Sequence, residues 1–237
     1  MDDDTNVISE LRAVTYFWHP PGAVAIAKAG ENEDLYFTID SGRTFTVAKF
    51  APAPDNEFIP VDPERPVATP VFAFVAEDGS VWVVTINDRF HFDIHADLDP
   101  KTTAVFTHVL ADPVFSDYGV DLVDVSSGYD GGILIANKYI SRRSTYYQTF
   151  ASWNRGADWS LLTPPPGSCP SGVPLSECAL HFEGPALGTH IYSTYTAPGL
   201  VIANGNVGPY FNISDANAYI SKDGGAFSTF NLIANYA

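Results

Sequence analysis

Three short segments of the sequence repeat one turn pattern, and this repeat constrains the fold more than any other feature. Each segment begins with Ser or Thr, places Asp or Asn two residues later and Gly two residues after that, and then reaches an aromatic residue. The segments cover residues 38–45, 152–159 and 221–227. Because strand-like apolar runs flank them, each turn is predicted to join two antiparallel strands.

The repeated pattern resembles the Asp box, S/T-x-D-x-G-x-T-W/F, a hairpin turn of β-propellers. The acid or amide of such a turn accepts backbone N–H bonds, the Gly is left-handed and the aromatic ring packs beneath the hairpin. The residues predicted to hold these structural roles are Asp40, Gly42, Phe45, Asn154, Gly156, Trp159, Asp223 and Gly225. Asp boxes occur in glycosidases and in binding propellers, so the motif predicts a fold and leaves the function open.

The rest of the chain consists of short apolar runs that turn residues interrupt about every ten residues. No window keeps an apolar stripe at helical spacing for more than about two turns. These features predict an all-β protein, in which four-stranded units of roughly 40 to 50 residues would fit about four or five times, as propeller blades do. The last hairpin is predicted to pair residues 218–221 with 226–230.

The formal net charge of −16, with only 12 Lys and Arg residues, disfavours phosphate backbones and anionic membrane surfaces. We therefore predict no nucleic-acid partner. The same acidity would attract basic ligands, although a solubilising surface also explains it. The residues after Met1 do not resemble a secretory leader, and no apolar run approaches the roughly 20 residues of a membrane span. Any membrane attachment is therefore expected only through segments outside this chain.

Two cysteines, Cys169 and Cys178, bound a short loop without helical or strand periodicity. A disulfide is geometrically easy across such a loop and would indicate an oxidising compartment. Two free thiols are the alternative. A zinc site would need two further ligands, and His181 is the single histidine nearby.

Four ordered motifs in residues 118–230 resemble the sortilin family. They are the turn at 150–162, CALHF at 178–182, PGLVIANGNVG at 198–208 and AYISKDGG at 218–225. They are similar to the family's S-F-D-K-G-G-x-W, C-S-L-H-L/I, G-L-I-x-A-x-G-x-V-G and V-Y-I-S-x-D-G-G. The resemblance implies a ten-bladed lumenal propeller, of which residues 1–237 would form one partial domain with about four to five blades.

The resemblance also implies a function. The chain would be the lumenal, ligand-binding segment of a sorting receptor that carries polypeptide cargo from the Golgi to an endosomal or vacuolar compartment. It would need no cofactor and would catalyse nothing.

The family's ligand site gives two candidate residues, Asn206 and Asp215. An arginine shortly after the glycine-rich strand binds a peptide's C-terminal carboxylate in the family, a contact that suits a guanidinium. Counting from Gly208 places Asp215 there, so that recognition mode is expected to be absent or altered. Asn206 is a candidate hydrogen-bond donor to a ligand. Asn212 begins an N-glycosylation sequon, which matters if the chain is exported.

Two other residue sets allow alternative interpretations. Polar residues at period two could present a cation site on one strand face, but alternation is also the ordinary pattern of a half-exposed strand, so no metal is predicted. These residues are His91, Asp93, His95, Asp97 and Asp99.

The alternative function is a carbohydrate-active propeller, either a sialidase-like glycosidase or a lectin. A sialidase would need several arginines that converge on its substrate. Arg43 and Arg155 fall in Asp-box turns instead. A scaffold without a ligand is the third possibility.

Overall fold

The protein is described from a computed structural model. The described residues are 11–19, 22–29, 34–38, 43–50, 69–75, 80–86, 92–98, 105–116, 119–125, 132–141, 144–184, 191–194, 196–197, 199–226 and 230–235. Within these ranges the regular elements are short β-strands and one 3-10 turn. The chain divides by its internal contacts into two compact units, residues 1–111 and 112–237.

The first unit contains two sheets. One is a four-stranded antiparallel sheet in chain order, formed by β1 (Leu11–His19), β2 (Gly22–Ala29), β3 (Asp34–Thr38) and β4 (Thr46–Val47). The other contains β6 (Thr69–Val75), β7 (Val81–Ile86), β8 (Phe92–Asp97) and β9 (Val105–Ala111), with β5 (Lys49–Phe50) added in parallel along β9. Residues 46–50 therefore supply an edge strand to both sheets.

The second unit also contains two larger sheets. A short ribbon of β10 (Phe115–Ser116) and β11 (Gly119–Val120) precedes the sheet β12 (Leu122–Asp124), β13 (Leu134–Tyr139), β14 (Tyr147–Ser152) and β15 (Ser160–Leu161). The last sheet contains β16 (Ala179–Phe182), β17 (Tyr192–Ser193), β18 (Val201–Gly208), β19 (Asn217–Ser221) and β20 (Asn231–Asn235). Both β16 and β17 pair with one edge of β18.

Apolar residues from both sheets of the second unit form one core. It includes Ile135 and Ala151 from the first sheet and Leu180, Phe182 and Tyr219 from the second, each at most 5% exposed. Burial of this apolar surface is the main force that holds the two sheets together.

The three turns of the repeated pattern occupy equivalent places. Each joins the last two strands of an antiparallel sheet: β3 to β4, β14 to β15 and β19 to β20. Antiparallel four-stranded sheets in chain order are the repeating unit of a β-propeller. The all-β prediction is confirmed, whereas the number of blades and the single partial domain over 1–237 stay predictions.

The final strand differs from the sequence prediction. The predicted strand 226–230 is wrong, because the strand that pairs with β19 is Asn231–Asn235. Phe230 is 1% exposed and packs edge-on against Phe182, with ring centroids 4.9 Å apart. This residue belongs to the core contact that precedes the strand.

Candidate functional site

Successive turns of an antiparallel sheet alternate between its two ends, and this places two sets of loops in the second unit. The two Asp-box turns there lie at the end where β14 and β19 finish. At the opposite end lie residues 140–141, 144–146, 162–178 and 209–216, which we call the loop end. The predicted ligand residues Asn206 and Asp215 belong to this end.

Two hydrogen bonds and one aromatic stack connect β14 to the loop 209–212 at the loop end. The Phe211 N–H donates to the Tyr147 carbonyl at 3.0 Å, and Gln148 Nε2 donates to the Pro209 carbonyl at 2.8 Å. The Tyr147 and Phe211 rings stack with centroids 5.1 Å apart. One sheet therefore fixes the loop of the other.

The buried side chain of Asn206 forms hydrogen bonds with the backbone of the same loop. Its side chain is 3% exposed; Nδ2 donates to the Tyr210 carbonyl at 3.1 Å, and Oδ1 accepts the Asn212 N–H at 2.8 Å. Both polar groups of the amide therefore hold the backbone of the loop. A direct hydrogen bond from Asn206 to a ligand stays a prediction.

Asp215 lies in an exposed 3-10 turn, Ile213–Asp215, at the tip of the loop. Asn212 caps this turn: Oδ1 accepts the Ser214 N–H at 3.2 Å, and Nδ2 donates to Asp215 Oδ2 at 2.7 Å. Asn217 Nδ2 donates to the Asp215 carbonyl at 2.9 Å. The turn therefore presents a carboxylate to solvent in a fixed position.

A buried histidine ties three strands together beneath the loop. The Thr149 N–H on β14 donates to His181 Nδ1 on β16 at 3.1 Å, so Nε2 carries the proton and donates to the Gly208 carbonyl at 3.0 Å. Burial lowers the pKa of His181 to about 4, against a smaller opposing effect of the Gly208 hydrogen bond. The side chain is therefore neutral at physiological pH.

A second polar network lies beside this histidine. Asn137 Nδ2 donates to Asp121 Oδ2 at 2.9 Å and to the Phe182 carbonyl at 3.0 Å. The Thr149 hydroxyl donates to Asn137 Oδ1 and accepts the Phe182 N–H at 2.7 Å. These contacts join both sheets of the unit, so hydrogen bonds as well as apolar packing hold them in register.

Sequence reasoning missed this network, although one signal was present. Polar Asn137, Thr149 and His181 each lie beside apolar residues of their strands and are at most 1% exposed. A buried polar residue is expected to be hydrogen-bonded, so such interruptions predict partners without naming them.

Local hydrogen bonds hold the turn of the second Asp box. Ser152 Oγ accepts the Gly156 N–H at 2.8 Å, and Asn154 Oδ1 accepts the Asp158 N–H at 2.9 Å. Gly156 has a φ of 83°. Trp159 Nε1 donates to the Gly156 carbonyl at 3.1 Å. Asn154 Oδ1 therefore accepts a backbone N–H as a carboxylate could, whereas Nδ2 donates to Asp158 Oδ2 at 2.8 Å, which a carboxylate could not do.

The third Asp box repeats these contacts. Ser221 Oγ donates to Asp223 Oδ1 at 2.8 Å, and the Gly225 N–H donates to both Ser221 Oγ at 2.9 Å and Asp223 Oδ1 at 3.0 Å. Gly225 has a φ of 77°. In the first box, Asp40 and Gly42 lie outside the described residues, and Phe45 is half-buried.

The other sequence candidates belong to other segments of the chain. Cys169 and Cys178 form a disulfide that closes the loop before β16. His95 and Asp97 on β8 are 6% and 2% exposed, so a half-exposed polar face is the wrong interpretation there. The rings of Phe50 and His108 pack edge-on against His95, with ring centroids 5.1 and 5.5 Å away. In the described part of the chain no three His, Cys, Asp or Glu residues are arranged to hold a metal ion. His91 and Asp99 lie outside it.

An all-β chain with Asp-box turns at equivalent places in several antiparallel sheets is a β-propeller segment. Residues 104–227, just over half of the chain, match the family model Sortilin-Vps10, described as "Sortilin, neurotensin receptor 3". The chain belongs to the sortilin family, which confirms the resemblance seen in the sequence.

Individual relatives match a similar region. The chain is 40% identical over 103 residues to the human VPS10 domain-containing receptor SorCS3, covering 40% of this chain and 8% of the receptor. It is 33% identical over 114 residues to mouse SorCS1, covering 45% of this chain and 9% of that receptor. It is 37% identical over 92 residues to the vacuolar protein sorting/targeting protein 10 of Paracoccidioides brasiliensis strain Pb03, covering 33% and 6%. The matches thus span under a tenth of these relatives.

Among solved structures, the Hadza microbial sialidase Hz136 is similar to 94% of this chain and 45% of its own, with a TM-score of 0.32 and 12% identity. The part of the chain that the structure describes contains no helix that is long and apolar enough to cross a membrane.

Proposed function

We propose that this chain is the lumenal, ligand-binding segment of a sortilin-type sorting receptor and that it binds polypeptide cargo for transport from the Golgi to an endosomal or vacuolar compartment. The observation that carries the proposal is the family match over 104–227, which includes the whole loop end. The relatives it resembles are named as receptors and vacuolar sorting proteins. The chain is proposed to have no catalytic role.

The loop 209–216 is the proposed contact surface for cargo. Its backbone is fixed by Asn206, Gln148 and the Tyr147–Phe211 stack, so ligand contact would require little further ordering. Asp215 is exposed on this loop. Counting from Gly208 assigns it to the position of the family's arginine. A carboxylate there repels a peptide's C-terminal carboxylate and attracts basic side chains.

The net charge of −16 favours the same class of ligand, because long-range attraction raises the encounter rate of basic polypeptides. The proposed cargo is therefore a basic polypeptide segment recognised without its C-terminal carboxylate.

Peptide binding to the oxidised, purified 237-residue chain tests this function. Matched basic and acidic decapeptides would be titrated by fluorescence anisotropy, each as a free acid and as a C-terminal amide. We expect saturable binding of the basic peptides that amidation does not weaken and that 0.5 M salt weakens, since surface charges are then screened to about 4 Å. No saturable binding by any peptide, or a requirement for the free carboxylate, contradicts the proposal.

Two variants at one position sharpen this experiment. Asp215→Asn keeps an acceptor for Asn212 but removes the charge, so it should weaken binding of the basic peptides. Asp215→Arg introduces the family's residue, so it should create a preference for the free-acid peptides. Unchanged selectivity in both variants would exclude Asp215 from the ligand site.

A further inference from the structure

The exposed tip of the loop 209–216 carries a second chemical feature. Asn212-Ile213-Ser214 is the single Asn-x-Ser/Thr sequence of the entire chain. Residues 212–215 are all exposed, and the Ile213 side chain is 59% exposed. A bulky surface group therefore has room at this turn, which is the condition for an N-linked glycan on a folded domain.

The hydrogen bonds of Asn212 are compatible with such a group. Its amide nitrogen has two N–H bonds, of which one donates to Asp215 Oδ2 at 2.7 Å. No hydrogen bond among the described residues uses the other. An N-linked glycan replaces one N–H and leaves one, so the bond to Asp215 and the cap on Ser214 can both persist after modification.

We propose that Asn212 is an N-glycan acceptor and that its glycan limits access of polypeptides to Asp215. The proposal rests on the proposed function, because modification requires passage through the secretory lumen. The co-reactant is an oligosaccharide joined through a diphosphate to a polyprenol lipid. Asn212 Nδ2 forms a bond to the sugar C1, the bond from C1 to the diphosphate oxygen breaks, and the amide proton lost from Nδ2 balances the released diphosphate. No oxidation or reduction occurs.

The effect on access follows from the same geometry. The sugar would be attached to the atom that donates to Asp215, so the first sugar would adjoin this carboxylate. A glycan and a peptide contact at Asp215 would therefore compete for one surface, and the fraction of chains carrying the glycan would set the apparent peptide affinity.

Two substitutions at Ser214 separate the sequon from the turn. The structure uses the Ser214 backbone N–H in the cap, whereas the sequon requires its hydroxyl. Ser214→Ala therefore removes the acceptor sequence and keeps the Asn212 contacts, and Ser214→Thr keeps both. We expect intact mass spectrometry of chains expressed in yeast behind a cleavable secretory leader to show a glycan on the wild type and on Ser214→Thr, and none on Ser214→Ala.

Occupancy would be measured on total cellular protein as well as on secreted protein, so failure to fold does not hide the result. An unmodified wild-type chain in the secretory lumen overturns the proposal.

The binding comparison also uses a protein whose glycan has been trimmed by an endoglycosidase that leaves one sugar on Asn212. An amidase is unsuitable, because it converts Asn212 to Asp and places a second carboxylate beside Asp215.

The access claim is tested with the basic amidated decapeptide. We expect Ser214→Ala to bind it about fivefold or more tightly than the fully glycosylated wild type, with the trimmed protein between the two. Equal affinities of all three forms overturn the access claim. A glycan on Asn212 with no peptide binding by any form confirms the acceptor site, and it overturns both the access claim and the proposed function.

Discussion

His181 accepts the backbone N–H of Thr149 at Nδ1, at 3.1 Å, and this bond joins two strands from different sheets of the second unit. The opposite ring nitrogen donates to Gly208, the last residue before the loop 209–216. The histidine is 0% exposed, so neither bond exchanges with water. One side chain therefore connects the sheet packing to the backbone at the start of the proposed ligand loop.

Replacing this histidine should destabilise the second unit strongly. His181→Ala leaves the Thr149 N–H and the Gly208 carbonyl without their buried partner and opens a cavity, so we expect a loss on the order of 3 kcal/mol. Urea unfolding followed by tryptophan fluorescence measures it. Gln148→Ala, which removes one half-buried hydrogen bond to Pro209, should cost about 1 kcal/mol. Equal losses in the two variants would contradict the role assigned to His181.

Stability should fall on acidification. Burial lowers the pKa of His181 to about 4, and burial, with a smaller contribution from His108, lowers the pKa of His95 to about 4. The unfolded chain binds more protons than the folded chain between these values and about 6.5, so stability falls as pH drops through this window. Each histidine contributes on the order of 3 kcal/mol when the window has been crossed.

Urea midpoints between pH 7.5 and 4.5 check this dependence. His181→Gln and His95→Gln should each flatten the pH profile, and the double variant should flatten it further. A wild-type midpoint that stays constant over this range would show that these histidines are not held neutral by the fold.

The two Asp boxes of the second unit should respond differently to loss of their serine. In the box at 152–159 the Gly156 N–H donates to Ser152 Oγ alone among the described contacts, whereas the Gly225 N–H has both Ser221 Oγ and Asp223 Oδ1. Ser152→Ala should therefore cost about 2 kcal/mol and Ser221→Ala about 1 kcal/mol. Thermal unfolding of both variants measures the difference, and the reverse order would be inconsistent with these contacts.

The pairing of β16 with β18 requires a residue without a side chain at position 205. A Cβ on Gly205 would overlap the His181 carbonyl oxygen, a backbone atom that cannot rotate away. Gly205→Ala should therefore prevent folding of the second unit. Gly208→Ala is the matched control, because a Cβ there meets its nearest atom, Asn206 Nδ2, at 3.4 Å. Circular dichroism and the yield of monomeric protein compare the two, and equal tolerance would refute the close approach.

The parts of this fold that depend on nearby residues were predictable from the sequence. The serine, acid and glycine of an Asp box contact each other within four residues, so the turn at 152–159 could be recognised from its own sequence. The last strand was predicted at 226–230 and lies at Asn231–Asn235. Phe230 packs instead against the ring of Phe182, which is distant in the sequence. No local pattern contains that contact.

The interior of the candidate site was unpredictable for the same reason. The partners of His181 are 32 and 27 residues away in the sequence, and the burial of His95 depends on the rings of Phe50 and His108, which come from other strands. The sequence placed Asn206 and Asp215 near one loop by counting from a motif. It could not show that the amide of Asn206 is buried beneath that loop while Asp215 is exposed.

The two-residue strand β5 has a consequence for the solubility of shorter versions of this protein. It covers the outer edge of β9, and Phe50 anchors it by stacking on Phe106, with ring centroids 5.2 Å apart. A chain that started after residue 50 would lose the pairing of β5 with Val105 and Phe106 on the outer edge of β9. Such an edge is a template for pairing with another molecule. Lys49 and Phe50 therefore protect the first unit against aggregation, and a fragment without them is expected to associate with itself.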